Sequence, residues 1–372
     1  MRIIAAVATV LCLLPENIPA QEPIRGLYVG RNAIDVRERA ENAAFLIRNY
    51  EPNAVVVDKK DDRGIELTGE KFRIKTALFR LSGAYIICRI VTFKDTTYAA
   101  RKPELYVHSR KNPTLLWKTS REETEYFLDP SLEGTFAYIR DVTVRAINDG
   151  CDELNYDYIR FPSDGNMKDL FYPSGEETPR KKREVMNRFL ERLAAAIRAR
   201  SPERAYSADL FGYAAMGRNP GIGQFPEDFE RHGFRTYGMF YPSHYMCNEF
   251  GVPDPNTNPY VVVAQSITAQ IRYLIRNNIP PNGWVTAWIQ GFDYPNIYGC
   301  GLDENGKGIK GEKGIRTAYA NDTKNFRDQI RALRVAISSP EFKDMRLKES
   351  WIVWHPSADY RKENFEPKSK ER

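Results

Sequence analysis

The sequence predicts a closed (β/α)8 barrel, a TIM barrel whose long βα loops cap its C-terminal face. Eight short apolar runs recur along the chain, and segments with helical periodicity separate them. No Gly-x-Gly-x-x-Gly follows the first run, where Gly30-Arg31-Asn32-Ala33 stands instead, so a dinucleotide-binding open sheet has no support. The predicted strands are Gly26–Gly30, Ala54–Asp58, Tyr85–Thr92, Glu153–Ile159, Tyr206–Phe211, Gly238–Tyr241, Trp284–Gln290 and Trp351–Trp354. Thr178 and Pro179 read as a helix cap and first-turn proline, followed by Val185, Phe189, Leu193 and Ile197 at four-residue spacing. A second stripe, Ile267, Ile271, Leu274 and Ile275, stops at Pro280-Pro281. Phe326, Ile330, Leu333 and Ile337 form a third. The loops Lys94–Leu128 and Asn296–Tyr319, rich in Lys, Gly, Pro and aromatics, are expected to cap the barrel.

Residues 1–20 read as a secretory signal peptide. Arg2 precedes an apolar run, Ile3–Leu14, and Ala20 stands before the expected cleavage at Gln21. The run falls short of the ~20 residues that a membrane span needs. The barrel is expected over residues 21–358, and the charged tail 359–372 is expected to be disordered. Localisation should then be secreted or periplasmic. With 42% hydrophobic and 12% aromatic residues in 372, the chain can bury a sizeable core. The net charge of +6 is scattered rather than gathered into a stripe, which argues against nucleic acid as a partner.

Four cysteines remain beyond the leader: Cys88, Cys151, Cys247 and Cys300, with no CxxC spacing to suggest zinc. Cys88 and Cys151 fall in or beside apolar strands and are expected as buried thiols. Cys247 and Cys300 lie in loops that could meet, and an exported chain leaves a disulfide between them open.

Polar residues inside strands locate the chemistry, because an ionisable side chain facing the barrel axis is costly to bury. Alternation puts Asn155, Asp157 and Ile159 on one face of strand four, and Ser207, Asp209 and Phe211 on one face of strand five. Asp157 could instead pair with Arg160 as a structural ion pair. Two acids at matching depth on neighbouring strands, ~4.8 Å apart, would set carboxyl groups roughly 5–6 Å apart. That spacing suits a retaining glycosidase, whereas an inverting one needs roughly 6.5–9.5 Å. Candidate sugar contacts are Tyr28, Asp58, Arg89, Asn155, Arg160, Tyr241, His244, Trp288, Gln290 and Trp354. Ser243 and His355 lie beside them. Aromatic faces stack on sugar C–H faces, and the polar groups hydrogen-bond hydroxyls. Four histidines in the whole chain leave little room for a metal centre, so no metal and no cofactor is expected.

The string Asp157-Tyr158-Ile159-Arg160-Phe161-Pro162-Ser163-Asp164-Gly165 is similar to the strand-four signature of a bacterial glycoside hydrolase family with α-amylase-like barrels. Supporting strings are Arg25–Val29, Val57–Asp62, Arg89–Asp95, Ser207–Gly212 and Tyr241–Tyr245. Together they span residues 25–356. The resemblance implies Asp157 as nucleophile or oxocarbenium stabiliser and Asp209 as general acid/base. Amylase-like barrels usually carry Glu on strand five, so Asp209 is a departure. Gln290 stands where that group often has a third acid, with Asp293 just beyond, and neither takes that role.

The expected function is an exported glycoside hydrolase that cleaves a poly- or oligosaccharide by a retaining two-carboxylate mechanism. Two other readings use the same residues. One is a non-catalytic carbohydrate-binding envelope protein on a degenerate barrel. The other is a metal-dependent hydrolase using Asp58, Asp157, Asp209 and His244.

Overall fold

The apolar runs pair side by side until the last returns to the first. The computed structural model describes residues 23–119, 125–175, 178–218, 221–279, 281, 283–292, 300–302, 308–310 and 323–368. Its strands are β1 (Arg25–Val29), β2 (Ala54–Lys60), β3 (Tyr85–Val91), β4 (Glu153–Asp157), β5 (Ala205–Phe211), β6 (Arg235–Met239), β7 (Trp284–Gln290) and β8 (Lys348–Trp354). They form a closed parallel barrel in chain order, with β8 beside β1. Helices α1 (Arg37–Asn49), α2 (Gly69–Leu81), α3 (Glu133–Asn148), α4 (Pro179–Arg200), α5 (Pro226–Arg231), α6 (Pro259–Arg276) and α7 (Thr323–Ile337) connect successive strands. This is the (β/α)8 TIM barrel that the sequence predicts.

Side-chain alternation divides the core into two layers. Val55, Val57, Ile86, Ile90, Leu154, Ala208, Leu210, Val285, Ala287 and Ile289 face the helices. Tyr28, Ala54, Val56, Ile87, Tyr237, Trp288 and Ile352 fill the barrel interior. The expected stripes sit on the inner helix faces: Phe189, Leu193 and Ile197 of α4, Ile267, Ile271 and Leu274 of α6, and all four on α7. Thr178 caps α4 by accepting from the backbone N–H of Lys181. At the N-terminal end of the barrel, buried Glu153 accepts from Ser207 Oγ at 2.6 Å and Tyr237 Oη at 2.7 Å. Arg235 lies 3.7 Å from the same carboxylate.

Several boundaries move for reasons the side chains supply. Strand β6 starts at Arg235 rather than Gly238, because Arg235 and Thr236 find carboxylate partners in Glu153 and Glu230. Strand β2 runs on to Lys60, since Lys59 and Lys60 are buried against Asp149 and Asp95 at 2.6 and 3.0 Å. Strand β4 stops at Asp157, where Tyr158 turns into the left-handed region at φ 48°. That turn sends Ile159 into the helix-facing layer, off the face of Asn155 and Asp157.

Two expectations are corrected. Cys88 and Cys151 are not thiols but a disulfide, as are Cys247 and Cys300. Cys151 lies two residues ahead of β4, its Cα 5.7 Å from that of the outward-facing Cys88 on β3, a neighbour relation invisible in the one-dimensional spacing. The tail is also not disordered as far as residue 368. Buried Tyr360 donates to the carbonyls of Tyr28 and Val353, and buried Phe365 stacks on Trp351 at 6.1 Å. Lys368 then hydrogen-bonds the carbonyl of Asn49. Two aromatics among the tail's charges are enough to anchor it. Residues 1–20, the expected leader, lie outside the described residues. So does most of the loop Asn296–Tyr319, of which Cys300–Leu302 and Gly308–Lys310 form a two-stranded ribbon. No helix of the described residues is long and apolar enough to cross a membrane.

Phe365→Ala should lower unfolding free energy by about 3–5 kcal/mol, the usual cost of emptying a buried phenylalanine site. Urea denaturation measures it. An unpacked tail would show no change.

Candidate active site

The register of β2, β3 and β4 builds the floor of the site. Asp58 stands opposite Arg89, and Asp157 lies two positions further along β4 than the partner of Arg89, Asn155. Arg89 therefore reaches both acids. Its Nε and one terminal nitrogen donate to Asp157 Oδ2 at 2.9 and 2.6 Å, and the other terminal nitrogen donates to Asp58 Oδ1 at 2.8 Å. Tyr28 Oη and the backbone N–H of Arg31 complete Asp58 Oδ2 at 2.8 and 3.1 Å. Burial opposes the charge on Arg89, and Asp157, Tyr28 and Asp58 more than offset it, so the guanidinium stays protonated. The tight turn after β4 aims the N–H of Tyr158 at Asp157 Oδ1, 2.6 Å away.

Asp209 meets a different environment. Pairing of Asn155 with Ser207 and of Tyr156 with Ala208 carries Asp157 level with Asp209 on the next strand. Asp209 Oδ1 accepts from Asn155 Nδ2 at 2.8 Å and from Trp288 Nε1 at 2.6 Å, the latter reaching across from β7. Oδ2 makes no hydrogen bond among the described residues, and no cation pairs with this carboxyl. Burial first, and the charge of Asp157 second, push Asp209 well above the usual carboxylate range. The two N–H donors and the charge of Arg89 oppose that shift without reversing it. One acid is thus matched to a cation while burial and that acid's charge raise the proton affinity of its neighbour.

Both acids open onto one cavity of about 160 Å³ at the C-terminal face. Arg89, Arg160, Tyr241, His244, Trp288 and Trp354 line it with them. Trp354 packs against Phe292, Tyr241 and Tyr28, with ring centroids 4.8, 6.0 and 6.2 Å apart. Of the twelve residues expected from sequence, eight line this cavity; Tyr28, Asp58, Asn155 and Gln290 do not. Tyr28 and Asp58 hold Arg89 from below. Asn155 is fully buried beneath Asp209. Gln290 is fully buried too, its Oε1 accepting from Ser243 N and Oγ at 3.0 and 2.9 Å, so it anchors the loop after β6. These four therefore stand outside the cavity lining, since strand phase finds the inward side but not the depth. The alternative pairing of Asp157 with Arg160 is not formed; Arg160 bonds Phe161 O and Ser163 Oγ instead.

Sequence reading overlooked Tyr158, Gly212, Tyr213, Met239 and Tyr245, which also line the cavity. Each sits at a strand end or just past one, and that position was the available signal. Gly212 is required by close approach, as a Cβ there would stand 2.7 Å from Met239 O and 2.9 Å from Tyr245 Oη. Among the described residues no three His, Cys, Asp or Glu side chains converge as metal ligands. The guanidinium of Arg89 already occupies the place between Asp58 and Asp157.

Comparison with known proteins agrees with the architecture. A family profile described as "Putative glycosyl hydrolase domain" matches residues 26–360. A hypothetical protein from Ruminiclostridium thermocellum ATCC 27405 is 31% identical, covering 49% of this chain and 96% of that one, with a TM-score of 0.41. The spore cortex-lytic enzyme SleL of Bacillus cereus shares the fold at 10% identity and a TM-score of 0.50, over 93% of this chain and 74% of that one. A Paenibacillus sp. cycloisomaltooligosaccharide glucanotransferase is 12% identical with a TM-score of 0.44, over 75% of this chain and 41% of that one. The chain thus spans less than half of that larger enzyme. No curated protein sequence matches the chain.

A raised carboxyl makes folding take up a proton, so stability holds below the ordinary aspartate range and falls as pH rises toward the folded value. Asp209→Asn, a neutral isostere, should remove this contribution and gain stability relative to wild type between pH 5 and 8, roughly the window above the unfolded aspartate value. Melting temperatures of both proteins across that range check it. Parallel curves would show that Asp209 ionises as freely in the folded chain as in the unfolded one.

Proposed function

The chain belongs to the glycosyl hydrolase domain family whose profile spans it, and from that premise we propose an exported retaining glycosidase acting on a poly- or oligosaccharide. One observation carries the proposal: two acids on adjacent strands face one cavity, Asp157 paired with Arg89 and Asp209 raised in proton affinity by burial and by Asp157. Such a split in environment is what acid and nucleophile require of two otherwise identical side chains.

In this reading Asp157 attacks the anomeric carbon as the bond to the leaving oxygen breaks. Arg89 and the N–H of Tyr158 fix its two oxygens in place, so little reorganisation accompanies attack. Asp209 gives its proton to the leaving oxygen from Oδ2, since Oδ1 is occupied by Asn155 and Trp288. In the second step Asp209, now ionised, takes a proton from water, and that water releases the sugar from Asp157. Trp354 and Tyr241 offer aromatic faces to the ring, while His244 and Arg160 stand at the wall for polar contacts. Trp288 differs from the sequence expectation here. Its indole N–H is committed to Asp209, so it orients the acid as well as lining the cavity.

Neighbouring strands about 4.8 Å apart, with the acids level, support the short carboxyl separation of retaining enzymes. The strand-four string and the strand-five acid support kinship with α-amylase-type barrels, Asp209 replacing the usual Glu. Two disulfides support an oxidising compartment, in keeping with residues 1–20 as a secretory leader.

Asp157→Asn should leave the fold intact and abolish turnover by several orders of magnitude on a glycan that the wild type cleaves. Asp209→Ala should lose roughly 10²–10⁴-fold on natural glycosides and much less on aryl glycosides whose leaving groups need no proton. Steady-state kinetics on the two substrate types check both. Unchanged turnover in either variant, or tight binding without cleavage in the wild type, would contradict the glycosidase reading.

A further inference from the structure

Arg160 is a buried cation that the chemistry above leaves without an acid. It is 6% exposed, lies on the loop three residues past Asp157, and lines the cavity. One terminal nitrogen donates to Phe161 O at 3.1 Å and Ser163 Oγ at 3.0 Å. Its guanidinium carbon sits 5.0 Å from the ring of Tyr158 and 5.7 Å from that of Phe211, both of them cavity walls. Asp164 is reached only through the hydroxyl of Ser163, which donates to Asp164 Oδ2 at 2.6 Å. Among the described residues Arg160 forms no ion pair, and its Nε and second terminal nitrogen make no hydrogen bond. The other arginine of the cavity, Arg89, has two carboxylates.

A buried charge is costly unless a counter-charge reaches it. Aromatic faces on two sides hold the guanidinium plane in position but do not neutralise it. The fork left open presents parallel N–H groups, the arrangement that two oxygens of one oxyanion satisfy and a single neutral hydroxyl does not. An ammonium group placed there would meet like charge.

We propose that the sugar bound beside the scissile bond carries an oxyanion, a carboxylate or a sulfate ester, and that Arg160 pairs with it. This rests on the glycosidase reading of the same cavity and adds its substrate class: an acidic glycan rather than a neutral or amino-sugar one. Arg160 is then a specificity residue, separate from the proton and bond-making work of Asp157 and Asp209.

The test measures calorimetric affinity of the full chain for a matched set of oligosaccharides. The set holds uronic-acid oligosaccharides, the same molecules with carboxyls reduced to hydroxymethyl, a sulfated series and an amino-sugar series. An acidic series should bind roughly 10- to 100-fold tighter than its neutral counterpart, the range of a charge-assisted two-point contact. Preference for the carboxylate or for the sulfate series names the source of the anion. Arg160→Gln should collapse the ratio to about one, and Arg160→Lys, which keeps charge but loses the fork, should retain part of it. Should Arg160→Gln fail to fold, the wild-type ratio alone decides. Equal or weaker binding of both acidic series, tighter binding of the amino-sugar series, or an undiminished preference in Arg160→Gln would overturn the proposal. Hydrolysis is followed separately by release of reducing ends. Cleavage of neutral glycans without acidic preference rejects only the role of Arg160. Acid-dependent binding without cleavage rejects only the glycosidase reading.

Discussion

The site is organised around one guanidinium. Arg89 projects into the barrel from β3 and donates to Asp58 on one side and Asp157 on the other. Three charges share the interior with one net negative, a load that a buried position tolerates only with every donor matched. Tyr28 and the backbone of Arg31 supply the remaining donors to Asp58, and the left-handed turn at Tyr158 supplies one to Asp157. Arg89 thereby sets Asp157, which has a cation partner, apart from Asp209, which has none among the described residues.

That difference is the functional content of the fold. Asp157 and Asp209 sit level on adjacent strands, are equally short and are nearly equally buried, yet only Asp157 has a cation. The charge of Asp157 then adds to burial in pushing Asp209 above the usual carboxylate range. The barrel contributes the register that makes this possible, because a shift of one residue on either strand would turn its acid toward the helices. Trp288 and Asn155 choose which oxygen of Asp209 faces the cavity, and they come from β7 and β4, so three strands must be correctly placed at once.

Much of this was legible in the sequence. The eight apolar runs and the two acids on strands four and five follow from period-2 geometry, and both acids face the cavity as that geometry requires. What stayed hidden depends on pairings between distant segments. Arg235 and the Lys59-Lys60 pair look like solvent-exposed charge until Glu153, Asp149 and Asp95 are brought to them in space. Cys88 and Cys151 look like isolated thiols until β3 and the turn that enters β4 lie side by side. Gln290 has the right phase for a sugar contact but lies too deep, because phase records direction and not height along the barrel. The tail was misjudged on composition, which counts its charges and gives no weight to Tyr360 and Phe365 falling beside Trp351 and β1.

The central claim is that Asp209, beside an Asp157 ion-paired with Arg89, holds a proton at neutral pH inside the cavity. Infrared difference spectroscopy reads it directly, by the C=O stretch of a protonated carboxylic acid in the folded protein. A band that persists at neutral pH in wild type, survives in Asp157→Asn and disappears in Asp209→Asn is the predicted result. Its absence from the wild type at neutral pH, with both side chains showing only carboxylate bands, would contradict the account.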